Sequence, residues 1–289
     1  METSLGHPRG AYGFRIDGLD GAEDLLLPVR PEWPLLTIRW LEEPSEPEPA
    51  VEEERAEATI SFGPRRALVE SASGGRIEIE RDPTVATFRI PKVRDPHALV
   101  HPYLGAAASV ASLWLGREVF HGGAFLGRSG AWIVLGSRTA GKSSLLASLH
   151  AREREVLADD VVVVEHGQAF AAPRALDLRQ ESAEQLQLGE PLGRVGERDR
   201  WRVRLASVPL AAPLAGVILL RWAERVEVVE VSGWSRLAFL VESLTLPGRP
   251  ADASTVLELS SLPCLELRRP RAWDALGAAS EAILAAADR

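Results

Sequence analysis

Residues 136–143 read Gly-Ser-Arg-Thr-Ala-Gly-Lys-Ser, a G-x-x-x-x-G-K-S loop, and the residues on either side restrict what can surround it. Residues 131–135 form a short apolar run, which predicts a buried strand leading into the loop. Residues 143–150 predict a helix with its leucines on one face. A strand, a glycine loop and a helix in this order direct a helix N-terminus toward phosphate. The segment therefore predicts a layered α/β fold around a phosphate-binding loop.

The lysine of this loop stands out against the composition of the chain. Only two of the 33 basic residues are lysines, and one of them is Lys142. Its compact ammonium suits the β- and γ-phosphates of a nucleotide, and the hydroxyl of Ser143 suits Mg²⁺. The alternative is a glycine-rich turn between core elements. The predicted nucleotide contacts are Gly136, Ser137, Arg138, Thr139, Ala140, Gly141, Lys142, Ser143 and Ser144.

Charge and hydropathy exclude several classes of partner. The net charge of −8 gives no general attraction to nucleic acid or to anionic lipid. The N-terminal residues lack the apolar segment of a signal peptide, and no apolar run reaches the length of a membrane span. The single cysteine, Cys264, excludes an internal disulfide. We expect a soluble cytoplasmic protein, and the sequence leaves open whether it forms a homo-oligomer.

The pattern of side chains changes near residue 98. Residues 1–98 predict a mostly β module, because short runs such as those in 75–90 alternate between polar and apolar side chains. Residues 41–57 include eight glutamates and predict a solvated loop, with an acidic recognition segment as the alternative. In residues 99–289, predicted strands alternate with helices behind the glycine loop, which is typical of an α/β catalytic domain.

Two adjacent carboxylates follow the loop in sequence. Asp159 and Asp160 come directly before the apolar run 161–164. Near a triphosphate, one carboxylate of such a pair can bind the metal while the other accepts a proton. The alternative is a polar turn that ends a strand. His121 lies upstream, and a lone histidine near a strand is usually a packed or solvent-facing side chain.

These motifs together resemble the kinase core of HPr kinase/phosphorylase. The order is His121-Gly, then the glycine loop, then Ala-Asp-Asp at residues 158–160, and the intervals from His121 to Gly136 and from Lys142 to Asp160 match the family without gaps. The rest of the chain resembles the shorter, divergent members of that family. Some of these accompany lasso peptide gene clusters and phosphorylate a serine of the precursor peptide.

The resemblance implies a kinase of P-loop type that uses ATP and Mg²⁺. It implies that Asp160 is the base that deprotonates an acceptor serine and that Lys142 binds phosphate. Asp159 and Ser143 would bind the metal, and His121 would line the site. The implied acceptor is a peptide or protein serine, with a ribosomally made, lasso-type precursor as the best candidate.

The chain lacks one signature of the family. The later Glu-Ile-Arg-Gly signature has no counterpart, and the nearest candidate to replace its metal ligand is Asp177. We therefore expect neither phosphorylase activity nor recognition of HPr.

Arg200, Arg202 and Arg204 share one face of a predicted strand. This pattern favours an exposed edge strand, and the alternative is a clamp over the γ-phosphate.

Two other functions remain open from the sequence. The first is a kinase acting on a small molecule such as free serine. The second is a nucleotide-binding regulator or an ATPase that has no acceptor. No guanine-binding Asn/Thr-Lys-x-Asp motif and no Leu-Ser-Gly-Gly-Gln string occurs, which argues against a GTPase and an ABC ATPase.

Overall fold

The computed structural model describes residues 7–43, 59–70, 75–90, 95–195, 198–246 and 249–289. These residues form three β-sheets and six α-helices. The strands are β1 (Arg9–Ala11), β2 (Phe14–Asp17), β3 (Leu27–Pro28), β4 (Leu35–Glu42), β5 (Thr59–Phe62), β6 (Arg66–Glu70), β7 (Arg76–Glu80), β8 (Val85–Ile90), β9 (Glu118–His121), β10 (Gly123–Gly127), β11 (Gly130–Leu135), β12 (Val156–Ala158), β13 (Val161–Glu165), β14 (Gln168–Phe170), β15 (Ala175–Arg179), β16 (Glu190–Val195), β17 (Arg198–Arg204), β18 (Ala211–Trp222), β19 (Glu227–Glu230) and β20 (Cys264–Arg269). The helices are α1 (Gly105–Trp114), α2 (Lys142–His150), α3 (Gln180–Leu186), α4 (Trp234–Glu242), α5 (Ala253–Ser261) and α6 (Asp274–Ala287). None of these helices is long and apolar enough to cross a membrane.

The N-terminal residues form an eight-stranded sheet in the order β3-β1-β2-β4-β8-β7-β6-β5. Strands β7 and β8 pair as the antiparallel hairpin that their alternation predicts, with Ile77 opposite Phe88. Strands β1 and β2 are joined by Tyr12 and Gly13, both with positive φ. In the predicted acidic loop 41–57, residues 41 and 42 end β4, and residues 44–57 lie outside the described residues.

The central sheet carries the glycine loop. Strand β11 pairs with β10 on one side and runs parallel to β18 on the other, and β18 runs parallel to β20. The predicted strand and helix around the loop are confirmed as β11 and α2. Because β11, β18 and β20 are parallel, their C-terminal ends meet at one edge of the sheet, where α/β proteins usually bind ligands.

A three-stranded sheet, in the order β15-β17-β16, lies beside the central one. The expectation that Arg200, Arg202 and Arg204 lie on an exposed edge strand is wrong, since β17 is the middle strand. Arg202 is buried beside the carboxylate of Asp177 and Arg204 pairs with Asp24. These partners offset the charges of Arg202 and Arg204 within the sheet.

Two apolar cores hold the sheets together. The larger core is shared by the N-terminal and central sheets, and includes Phe14 and Phe88 from the first and Val119 and Val162 from the second. The smaller core lies between the central sheet and its helices. Its members include Val134 of β11, Leu145, Leu146 and Leu149 of α2, and Ile283 of α6. Burial of the leucine face fixes α2 against the sheet, and it thereby also positions the glycine loop that precedes the helix.

Arg174 links three backbone segments by donating hydrogen bonds to their carbonyl groups. It is only 5% exposed. Its guanidinium donates to the carbonyl oxygens of Val156 (2.7 Å), Leu157 (3.2 Å) and Ala206 (2.8 Å). Burial lowers the pKa of Arg174 to about 10. Buried carbonyl groups need partners, so this side chain substitutes for backbone pairing between the segments.

Replacing Arg174 with methionine is expected to lower the free energy of unfolding by about 3 kcal/mol, since several carbonyl groups lose a charged, buried donor. Urea unfolding followed by far-UV circular dichroism measures the loss. Arg225→Met is the matched control, because Arg225 is exposed. Equal urea midpoints for the two variants would contradict this role.

Candidate functional site

The glycine loop spans residues 136–141, between the end of β11 and the start of α2. Gly141 caps the helix with φ +85°, a left-handed conformation that side chains disfavour. A Cβ at this position would lie 2.2 Å from Nη2 of Arg269. That guanidinium lies over the ring of Trp222 and donates to the carbonyl of Ala140 (3.4 Å). The loop glycine is therefore required by both its conformation and its surroundings.

Lys142 lies at the first position of α2 and is 8% exposed. Its Nζ donates to the carbonyl oxygens of Gly136 (2.9 Å) and Ser137 (3.2 Å). Burial lowers the pKa of Lys142, while the charges of Asp160 and Asp159 act in the opposite direction. The ammonium is thus held against the loop and within electrostatic reach of both carboxylates, and its role in phosphate binding stays a prediction.

Ser143 and Asp159 are in direct contact. Ser143 Oγ donates to Asp159 Oδ1 over 3.1 Å. Burial, and next the charge of Asp160, raise the pKa of Asp159 to about 7. The structure thus brings together the two predicted metal ligands from positions sixteen residues apart.

The turn between β12 and β13 positions the second carboxylate. Asp160 has φ +67°, and its carbonyl accepts from the N–H of Gly122 (3.1 Å). A Cβ at Gly122 would lie 2.6 Å from the carbonyl oxygen of Val134. The glycine after His121 is therefore needed so that the β9–β10 corner can approach the loop strand. Val161 lies opposite His121 in the register of β13 and β9, which places the histidine beside this turn.

Two histidines flank Asp160. Nδ1 of His121 lies 3.5 Å from Oδ1, and Nδ1 of His101 lies 3.6 Å from Oδ2. Burial acts to raise the pKa of Asp160, but the charges of His101, His121 and Lys142 outweigh it and hold that pKa below its usual value. Asp160 is therefore ionised at neutral pH and able to accept a proton or a hydrogen bond.

A small polar cavity of about 20 Å³ adjoins Asp159. Its polar lining side chains are Tyr12, His101, Asp159 and Asp177. Tyr12 is 4% exposed, and burial raises the pKa of its hydroxyl. Sequence reasoning missed Tyr12 and His101 as site residues. No sequence pattern indicated the positive φ of Tyr12, and no motif marked the His-Pro pair at residues 101–102 as part of a site.

Asp177, considered as a replacement metal ligand, is fully engaged by an arginine. Its two carboxylate oxygens accept from Nε (2.7 Å) and Nη2 (2.6 Å) of Arg202. Nη1 of the same arginine donates to the carbonyl of His97 (2.7 Å). Because both oxygens of Asp177 take part in this buried, bidentate ion pair, the carboxylate has a structural role and does not act as a metal ligand.

The residues present fit Mg²⁺ in the way that nucleotide sites usually bind it. Mg²⁺ takes oxygen ligands, commonly one or two from the protein and the others from phosphates and water. Asp159 and Ser143 supply such oxygens next to the loop. Across the described ranges, no set of three or more His, Cys, Asp or Glu side chains is arranged to hold a metal by itself.

Comparisons with known proteins find distant likeness among solved structures. No family model matches the chain, and no curated protein matches its sequence. The solved structure of the Hpr(Ser) kinase/phosphatase from Coxiella burnetii aligns with 57% of this chain and 93% of its own, with 11% sequence identity and a TM-score of 0.28.

Proposed function

We propose that this chain is a Mg-ATP-dependent kinase that transfers the γ-phosphoryl group to a serine hydroxyl of a peptide or protein. One observation carries the proposal: Lys142 in the loop, the Ser143–Asp159 pair and Asp160 converge at one edge of the central sheet. Phosphoryl transfer needs a phosphate cradle, a metal ligand and a carboxylate that receives the acceptor's proton. These residues supply one group for each need.

Each residue then has a defined task. Lys142 and the N–H groups of the loop hold the phosphates. Asp159 and Ser143 would hold Mg²⁺, which would supply positive charge close to the transferring group. Asp160 accepts the proton from the serine hydroxyl as that oxygen bonds to phosphorus and the bond to ADP breaks. His101 and His121 hold the Asp160 carboxylate between them. A weakly basic carboxylate suffices because positioning supplies most of the rate.

The acceptor is the least constrained part of the proposal. A peptide or protein serine, with a lasso-type precursor as the best candidate, rests on the sequence resemblance. Free serine and an acceptor-free ATPase are the competing functions.

Mass spectrometry of the protein incubated with Mg-ATP, free serine and serine-bearing peptides tests the proposal. Basic leader-type precursors belong in the peptide panel because the protein carries a net charge of −8. We expect one phosphate on a peptide serine. Phosphate on free serine alone would make the protein a small-molecule kinase. ATP consumption without a phosphorylated product would leave an ATPase, and no ATP consumption would reject the kinase.

A further inference from the structure

One face of the three-stranded sheet is lined by arginines. Residues 198, 200, 202 and 204 of β17 are all arginines, and alternate residues of a strand share a face. The register places Arg179 of β15 opposite Arg200, and Asp177 opposite Arg202, so these side chains join the same face. The opposite face, with Val203 and Trp201, packs on the smaller core. The arginine face is thus the one directed toward Asp159 and its cavity, which Asp177 also lines.

The two ends of this face differ in their charge balance. At one end, Arg204 pairs with Asp24 and Arg202 with Asp177. At the other end lie Arg179, Arg198 and Arg200, near Arg138 of the glycine loop. Among the described residues, none of these four guanidinium groups forms an ion pair or hydrogen bond with a carboxylate. We call these four residues the arginine cluster.

The members of the arginine cluster are close enough to affect one another. Burial, followed by the charges of Arg198, Arg200 and Arg138, lowers the pKa of Arg179. Arg200 is also within electrostatic reach of Asp160 and Asp159. The cluster therefore extends from the glycine loop to the carboxylate pair.

One nitrogen of the Arg200 side chain lacks a hydrogen-bond acceptor among the described residues. This nitrogen, Nε, is buried. A buried N–H group without an acceptor is costly, and so are four neighbouring like charges that have no carboxylate in direct contact. Both costs are removed if an anion with several acceptor oxygens binds there. Guanidinium groups bind phosphate oxygens in pairs, with matched geometry.

We infer that Arg138, Arg179, Arg198 and Arg200 form a binding site for a phosphate-type oxyanion beside the glycine loop. The identification of its ligand rests on the proposed function: the anion is either the γ-phosphate of the nucleotide or an anionic group of the second substrate. In the first case the guanidinium groups stabilise the charge on the transferring phosphoryl group. In the second case they select an acceptor that is negatively charged near its hydroxyl.

Arg200→Gln and Arg179→Gln test the site, with Arg204→Gln as the matched control. Arg204 lies on the same strand and face but has its own counter-ion in Asp24. Isothermal titration at low salt measures the Kd for ATP, for ADP, and for inorganic phosphate added to the ATP-loaded protein. Circular dichroism and Tm confirm that each variant is folded.

We expect each cluster variant to lose about tenfold or more in affinity for one of these ligands, while Arg204→Gln stays like the wild type. Weaker binding of ATP but not of ADP identifies the γ-phosphate. Weaker binding of inorganic phosphate with unchanged ATP binding identifies a separate anion. Unchanged Kd values for all three ligands would overturn the inference. If the wild type binds no nucleotide, the proposed function fails, and inorganic phosphate alone then decides the site.

Discussion

Replacing Lys142 with alanine is expected to weaken ATP binding by at least about 100-fold and to abolish phosphoryl transfer. The ammonium provides charge-assisted hydrogen bonds to phosphate oxygens, each worth about 1.5–3 kcal/mol, and about 3 kcal/mol corresponds to 100-fold in affinity. The 31 arginines elsewhere in the chain show that an arginine cation is the usual choice in this protein. The lysine at this position donates from its compact ammonium to the carbonyl groups of Gly136 and Ser137.

The measurement is the Kd for ATP and for ADP by isothermal titration in the presence of Mg²⁺. Lys142→Met separates the charge from the packing, because the methionine fills the space of the lysine stem between the carbonyls of Gly136 and Ser137. Arg66→Ala is the control, since Arg66 lies on the N-terminal sheet and its side chain is 81% exposed. ATP affinity that survives in both Lys142 variants would show that the loop does not bind nucleotide phosphates.

Local sequence patterns were sufficient to predict the elements around the loop. The apolar run before Gly136 and the leucines of α2 gave β11 and α2 to within a residue or so. The elements around the loop are predictable because a strand, a turn and a helix close together in sequence have few ways to pack. The family resemblance, rather than a local pattern, implied that Asp159 and Ser143 share a site, and the two side chains are in contact.

Contacts between distant segments were not predictable in the same way. Tyr12 reaches the cavity beside Asp159 only because the N-terminal and central sheets share one core. The place of β17 in the middle of its sheet depends on pairing with both β15 and β16. The alternating arginines favoured an edge strand, since the sequence does not show that Asp177 and Asp24 offset two of them.

Replacing Asp160 with asparagine is expected to lower kcat for phosphoryl transfer by about 1,000-fold while ATP binding is preserved. General-base catalysis contributes about 10²–10⁴-fold, and an amide cannot accept the proton of the serine hydroxyl. Asparagine is the suitable substitution because it tolerates the left-handed φ of +67° at this position, where alanine would strain the turn. Any change in ATP affinity should be toward tighter binding, since one negative charge beside the triphosphate is removed.

Single-turnover transfer to the unphosphorylated form of the peptide that mass spectrometry identifies as the acceptor measures the rate, and titration with ATP measures binding. Asp20→Asn is the control for loss of a carboxylate, because Asp20 is exposed. A near-normal rate in Asp160→Asn would contradict the assignment of Asp160 as the base. A slow rate with intact ATP binding, set against the loss of binding in Lys142→Ala, would separate the two tasks: Lys142 binds the nucleotide, and Asp160 acts only when the acceptor hydroxyl is in place.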